Sequence, residues 1–139
     1  MTDERSVLGL GIFSSTKALQ KEQVEPLVGK LPEGARSGMT TYLQRGAIVF
    51  AAMEYTTDVL NQGFGVSGGS GILTDGNYCW RRDLADYVDA YGVELPHKLV
   101  ELARSRHWVP PDLTEAEVLA IGRYLMSGKT PSTQETSGD

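Results

Sequence analysis

The stretch from Ser70 to Tyr91, SGILTDGNYCWRRDLADYVDAY, constrains the fold of this chain most strongly. Within it, Asp75-Gly76 lies between two runs of strand-forming residues. Both residues tolerate the positive φ that the central positions of a type I′ turn require. The pattern therefore predicts a β-hairpin whose tip is Asp75-Gly76.

The second strand of this hairpin carries two aromatic residues at alternate positions. Because successive side chains of a strand point to opposite faces, Tyr78 and Trp80 should share one face. Asn77 and Cys79 should then lie on the other face. We expect the aromatic face of the hairpin to be buried.

An amphipathic helix follows the hairpin directly. Its apolar stripe has the helical spacing i, i+3, i+4 and i+7 and consists of Leu84, Tyr87, Val88 and Tyr91. Asp83 is placed to accept hydrogen bonds from the free backbone N–H groups of the first turn, and Gly92 is placed to end the helix in the left-handed conformation. A hairpin that continues into a short helix is thus the predicted centre of the fold.

The remaining segments predict one further strand and several helices. Residues 47–55, AIVFAAMEY, form a nearly continuous apolar run, as expected for a central strand that is covered on both faces. Residues 32–38 have the composition of a loop, and a two-turn helix is predicted over 39–45. Helices are also predicted over 96–106 and 115–127, the second of them preceded by a Thr-x-x-Glu capping box.

These elements indicate an α+β fold, with a small, mainly antiparallel sheet, a central β-hairpin and helices packed on one face. A chain of 139 residues has the size of a single domain. We expect that domain to span residues 1–127, with its core in 39–127 and with residues 1–36 peripheral. The tail, 128–139, has no core-forming residues and should be disordered.

The amino-acid composition and the net charge restrict which cellular compartment and which classes of partner we expect for the chain. The single cysteine, Cys79, excludes an intrachain disulfide, so we expect a reducing, cytoplasmic environment. No apolar run approaches the ~18 residues of a membrane span, and the acidic N-terminus does not resemble a secretory signal. The net charge is −5, with six acids and three basic residues in 75–101. We therefore expect neither a membrane nor a nucleic acid as partner, since nucleic-acid binding requires a basic surface.

No residue pattern in the sequence predicts catalysis, a cofactor or a metal. His97 and His107 have no acid at metal-ligand spacing, so we interpret them as solvent-facing helix residues. Cys79 has no neighbouring histidine and is expected to be a small buried residue. Four glycines in 61–69 leave two interpretations open, which are a flexible connection into the hairpin and a backbone nest for an anion. We expect a protein without an enzyme active site.

The acids near the hairpin are the candidate functional residues. Asp83, Asp86 and Asp89 follow an i, i+3, i+6 rhythm on the exposed side of the predicted helix. Asp75 and Glu94 are predicted to extend the same surface. One interpretation is a solvated helix face with acids that favour the N-terminal end of the helix dipole. The other is an acidic recognition surface that binds a basic protein partner.

The sequence ILTDGNYCWRRDLADYV at 72–88, followed by GVELP at 92–96, resembles the core pattern of a group of small uncharacterised bacterial proteins. The shared pattern is TDG-x-Y-x-W-R-x-D-L-A-x-Y-V, and the resemblance covers roughly residues 39–110. This group is associated with the immunity partners of secreted toxins. The resemblance implies binding to a toxin and supplies no catalytic residues.

The function expected from the acids and the resemblance is that of a non-enzymatic binding protein. It would be an immunity or antitoxin-like inhibitor that binds and blocks a cognate bacterial toxin, a basic domain, through the acidic surface. The alternative is a small enzyme or ligand-binding protein with a pocket beside the 70–83 hairpin. That pocket would use Asp75, Tyr78, Asp83 and either Arg81 or Arg82. A concave pocket with convergent polar groups favours the alternative, and a flat acidic face favours the inhibitor.

Overall fold

The computed structural model describes residues 6–127. The α-helices of this part are α1 (Lys21–Val24), α2 (Glu33–Gln44), α3 (Leu84–Tyr91), α4 (His97–Ser105) and α5 (Glu115–Met126). The strands are β1 (Ala47–Phe50), β2 (Tyr55–Thr57), β3 (Gly65–Ser67), β4 (Ile72–Thr74) and β5 (Cys79–Arg81). Short 3-10 turns cover Gly11–Ser14 and Glu25–Leu27.

The strands form two antiparallel sheets, one with the order β1-β4-β5 and one that contains only β2 and β3. The predicted α+β class is therefore confirmed. The single central strand predicted over 47–55 is wrong, because β1 lies at an edge and Tyr55 begins a strand of the other sheet. Burial explains the order of the strands, since all of β4 is buried whereas Ile48 of β1 is 51% exposed.

The central hairpin is confirmed, but its turn differs from the prediction. Thr74 pairs with Cys79, so the loop between the two strands comprises residues 75–78. Only Gly76 in this loop has a positive φ, at 96°, whereas the predicted type I′ turn requires a positive φ at both Asp75 and Gly76. Within this loop, Oδ1 of Asp75 accepts hydrogen bonds from the backbone N–H groups of Asn77 and Tyr78, at 2.9 and 2.8 Å.

The two faces of the three-stranded sheet pack against different helices. Tyr78 and Trp80 share a buried face, as predicted, and contribute with Leu73 to a large core that also includes α2, α3 and α4. The opposite face, with Ile72 and Cys79, packs against α5. The sequence did not predict that a helix would cover this second face.

The N-terminal segment belongs to the core. Its buried apolar residues are Val7, Leu10, Phe13, Leu19, Val24, Leu31 and Ala35. Backbone hydrogen bonds of Leu8 with Asn77 and Cys79, at 3.0 and 2.9 Å, attach this segment to the edge of β5. The expectation that residues 1–36 are peripheral is thus corrected for residues 6–36. The tail at 128–139, for which we predicted disorder, lies outside the described residues.

The helices begin and end largely where their caps predict. Gly92 ends α3 in the left-handed conformation, and the predicted capping box of Thr114 and Glu117 begins α5. The predicted loop at 32–38 is wrong, because α2 begins at Glu33. Two glycines gave this segment the composition of a loop. One of them, Gly38, lies against the ring of Trp108, so its place in the helix reflects close packing.

Candidate functional site

A buried ion pair lies where β5 leads into α3. Arg81 donates two hydrogen bonds to the carboxylate of Asp83, from Nε to Oδ1 and from Nη2 to Oδ2, both at 2.9 Å. Both residues are 1% exposed. Nη1 of Arg81 also donates to the carbonyl oxygens of Ser15 and Lys17, at 3.0 and 2.6 Å. The pair therefore ties the N-terminal segment to the junction of β5 and α3.

Asp83 does not have the role that the sequence suggested. Its side chain makes no capping hydrogen bond to α3. Its carboxylate accepts instead from Arg81 and, through Oδ2, from the hydroxyl of Thr56 at 3.0 Å. The prediction that Asp83 lies on an exposed acidic surface is wrong, because this buried carboxylate is held by partners from other elements.

The glycine-rich segment, residues 61–69, packs next to the Arg81–Asp83 pair. Part of it forms β3, and Gly69 packs so closely that a Cβ there would lie 1.8 Å from Oγ1 of Thr56. The hydroxyl of Ser70 donates to Oε1 of Glu54 at 3.0 Å. Residues 61–69 thus form a strand and a closely packed turn, which differs from the flexible connection favoured by their composition.

A cavity of about 210 Å³ opens beside the ion pair. Its polar lining includes Glu54, Thr56, Ser70, Arg81 and Asp83, and its apolar lining includes Leu19, Val59 and the ring of Tyr87. The hydroxyl of Tyr87 accepts the backbone N–H of Val59 at 3.0 Å, and burial raises the pKa of Tyr87 to about 12. The phenol is therefore neutral at physiological pH, and the wall offers both donors and acceptors.

Asp75 lies in a second buried cluster at the tip of the hairpin. Tyr42 donates to Oδ2 of Asp75, and Arg106 approaches the same oxygen at 3.4 Å. Burial, followed by this hydrogen bond, raises the pKa of Tyr42. The second guanidinium nitrogen of Arg106 donates to Oδ1 of Asn77 at 2.9 Å. The predicted exposure of Asp75 is wrong, because the residue is 1% exposed and anchors the tip to α2 and to the end of α4.

The three other predicted acids lie at the surface in two places. Asp89 is exposed and Asp86 partly buried, one turn apart on the outer side of α3. Burial, and then the charges of Asp83 and Asp89, raise the pKa of Asp86. Glu94 is exposed but lines a separate, largely apolar groove of about 450 Å³. The structure therefore brings Asp86 and Asp89 together and does not place Glu94 with them.

A groove of about 260 Å³ lies next to the outer side of α3. Ile48 and Val66 supply its apolar part, and Arg82 and Asp86 supply its charged part. The groove itself carries one charge of each sign, and Asp89 lies on α3 outside its lining, where Arg36 donates to the backbone carbonyl oxygen of Asp89. We call Ile48, Val66, Asp86 and Asp89 the α3 face.

Sequence reasoning missed the polar residues around the cavity. Glu54, Thr56 and Ser70 meet Asp83 only because β2 pairs with β3 and lies beside the start of α3. Each of these strands has three residues, too few for a clear alternating pattern. Of the residues in the alternative pocket, Arg81 and Asp83 line this cavity, whereas Asp75 and Tyr78 lie at the other end of the hairpin.

The histidines and the cysteine show no sign of a reactive site. His97 and His107 are exposed. Cys79 is buried, and burial, followed by the charge of Asp75, raises the pKa of its thiol to about 12. Within residues 6–127 there is no group of three or more His, Cys, Asp or Glu side chains with the geometry to hold a metal ion.

Comparison of the chain with protein-family models, with curated proteins and with solved structures finds no match. Among the helices at 6–127, none has the length and apolar character needed to cross a membrane.

Proposed function

We propose that this protein is a non-enzymatic binding protein, an immunity or antitoxin-like inhibitor that blocks a basic toxin domain through the α3 face. The observation that carries the proposal is the position of Asp86. This acid forms part of the wall of a groove in which Ile48 is 51% exposed. An apolar centre with charged residues at its rim is the usual composition of a protein–protein interface.

The cavity at Arg81 and Asp83 supports the alternative, a ligand-binding pocket beside the hairpin, and the hydrogen bonds of its buried polar groups give those groups a structural role. Arg81, Asp83 and Asp75 hold one another or neighbouring elements through hydrogen bonds. Among the described residues, no buried side-chain nitrogen or oxygen lacks a hydrogen-bond partner.

The electrostatics of Asp86 also support a basic partner. Its raised pKa means that its negative charge is unfavourable in the folded protein, mainly because the side chain is partly removed from water. The neighbouring charges of Asp83 and Asp89 add to this cost. A lysine or arginine of a partner would relieve it, and the acids would also steer that partner toward the face before contact.

The experiment that tests this function is affinity capture from the native host with a charge-matched control. The wild-type protein, the variant Asp86→Lys/Asp89→Lys and the control Glu22→Lys/Asp112→Lys are each immobilised. Both variants have a net charge of −1 instead of −5, and the control changes acids that are exposed elsewhere.

We expect the wild type and the control to retain the same basic protein and the α3-face variant to lose it. The retained protein should show toxicity that the wild-type chain suppresses. Equal retention by all three proteins would contradict the α3 face as the binding site, and a retained protein without toxic activity would contradict the inhibitor role.

A further inference from the structure

The cavity beside the Arg81–Asp83 pair lies apart from the α3 face and is not used by the proposed inhibitor function. Three of the polar side chains that line it are almost fully buried, since Ser70 is 5% and Arg81 and Asp83 are each 1% exposed. Exposed residues, among them Glu54 and Tyr55, also line this cavity of about 210 Å³, so it is open to solvent and accessible to a small ligand.

The charges around the cavity do not balance. Arg81 and Asp83 neutralise each other through their paired hydrogen bonds. Glu54 accepts a hydrogen bond from Ser70, and within residues 6–127 no lysine, arginine or histidine forms an ion pair with it. One uncompensated negative charge therefore lies at the wall of the cavity, and a positive group is its natural complement.

The apolar lining of the cavity indicates what else the ligand carries. Leu19, Val59 and the ring of Tyr87 are apolar surfaces that a short carbon chain would cover. The volume is smaller than the roughly 300 Å³ at which pockets for drug-sized ligands begin, so only a small molecule fits. An aromatic ring also favours a cation close to its face.

We propose that this cavity binds a small organic cation, a primary ammonium or guanidinium group on a chain of a few carbons. The cationic group pairs with Glu54 through Oε2, because Oε1 already accepts the hydroxyl of Ser70. The carbon chain packs against Leu19, Val59 and Tyr87. Gly69 is required for this arrangement, since a Cβ there would overlap Thr56 and disturb the polar lining.

The test uses n-butylguanidinium as the probe and n-butylurea as a neutral molecule of the same shape. Both are titrated into the full chain while the backbone amide signals of Thr56, Gly69 and Ser70 are followed by NMR. We expect saturable shifts with n-butylguanidinium, with a dissociation constant on the order of 1 mM or lower, and at least about tenfold weaker binding of n-butylurea.

Two variants make the test specific to Glu54. Glu54→Gln keeps an acceptor oxygen for Ser70 and removes only the charge, and it should weaken binding of n-butylguanidinium by about tenfold or more. Glu22→Gln removes an exposed charge elsewhere and should leave binding unchanged. The proposal is overturned if n-butylguanidinium gives no saturable shifts, if n-butylurea binds equally well, or if Glu54→Gln binds like the wild type.

Discussion

At the scale of single residues, the negative charge of Asp86 lowers the stability of the fold, whereas it serves the proposed binding function. Its pKa in the folded protein is raised, so the folded state binds a proton there more tightly than the unfolded chain does. The ionised carboxylate therefore destabilises the fold at pH values above the raised pKa. This cost disappears as the pH falls below the ordinary pKa of an aspartate. A residue that lowers stability is typical of a surface kept for binding.

The variant Asp86→Asn tests this directly. It should be more stable than the wild type near pH 7, by about 0.5 kcal/mol as is usual for surface changes. Near pH 3 the difference should vanish, because the wild-type carboxyl is then protonated in both states. Urea unfolding of both proteins at the two pH values measures this difference in the free energy of unfolding. A variant that is less stable near neutral pH, or whose advantage persists in acid, would contradict the raised pKa.

Two of the acids that were predicted to lie at the surface are buried, and residue patterns alone do not reveal this. Asp86 and Asp89 were predicted to be outward-facing from helical spacing alone, and the structure places them there. Asp83 belongs to the same rhythm of acids and Asp75 was predicted to extend its surface, but both residues are buried. Their placement depends on Arg106, which is 31 residues away from Asp75, and on Thr56, which is 27 residues away from Asp83. Contacts over such separations have no local signal in the sequence.

At the scale of elements, the turn of the central hairpin depends on Gly76. This residue has a φ of 96°, which a β-branched side chain adopts only with strain. We expect Gly76→Val to lower the free energy of unfolding by about 1–2 kcal/mol or more. Asn77→Ser, at the neighbouring position with negative φ, should change it by no more than about 0.5 kcal/mol. Thermal or urea unfolding of both variants distinguishes them, and an equally stable Val variant would exclude this turn.

Helix α2 offers a matched pair of glycines. A Cβ at Gly38 would lie 2.3 Å from the ring of Trp108, whereas a Cβ at Gly34 would have nothing within 4 Å. The indole of Trp108 is held in place because it packs against the core and the guanidinium carbon of Arg104 lies 5.1 Å from its ring centroid. A substitution at Gly34 therefore tests helix propensity alone, whereas a substitution at Gly38 also tests packing against Trp108.

We expect Gly34→Ala to stabilise the protein by up to about 1 kcal/mol, since alanine favours a helix over glycine. Gly38→Ala should destabilise it by about 1–3 kcal/mol, because the added methyl group overlaps the indole. Chemical denaturation of the two variants gives both values. If Gly38→Ala proved as stabilising as Gly34→Ala, the packing of Trp108 on α2 would be wrong.

The elements that were predicted well have strong local signals. The hairpin has its glycine-containing turn, α3 has its apolar stripe and its glycine cap, and α5 has its capping box. Strands β2 and β3 were not predicted, because each has only three residues and is recognisable only through its pairing with the other. The start of α2 was missed because two glycines in 33–38 have the propensity of a loop, and only the contact with Trp108 explains one of them.

At the scale of the whole molecule, the sheet β1-β4-β5 separates two layers of helices, and α3 presents its outer side beside an exposed groove. Residues 6–36 close the edge of β5 and reach Arg81, so the cavity near Glu54 depends on a segment that composition alone made peripheral. The two proposed binding sites lie at different places on one scaffold.

The α3 face is the central claim, and the association rate constant with the captured partner tests it most directly. It is measured for the wild type, for Asp86→Lys/Asp89→Lys and for Glu22→Lys/Asp112→Lys. At low ionic strength we expect the α3-face variant to associate about tenfold or more slowly, because the acids steer a basic partner. The difference should shrink near 1 M salt, where the Debye length is about 3 Å. Equal rates for all three proteins at low ionic strength would contradict the account.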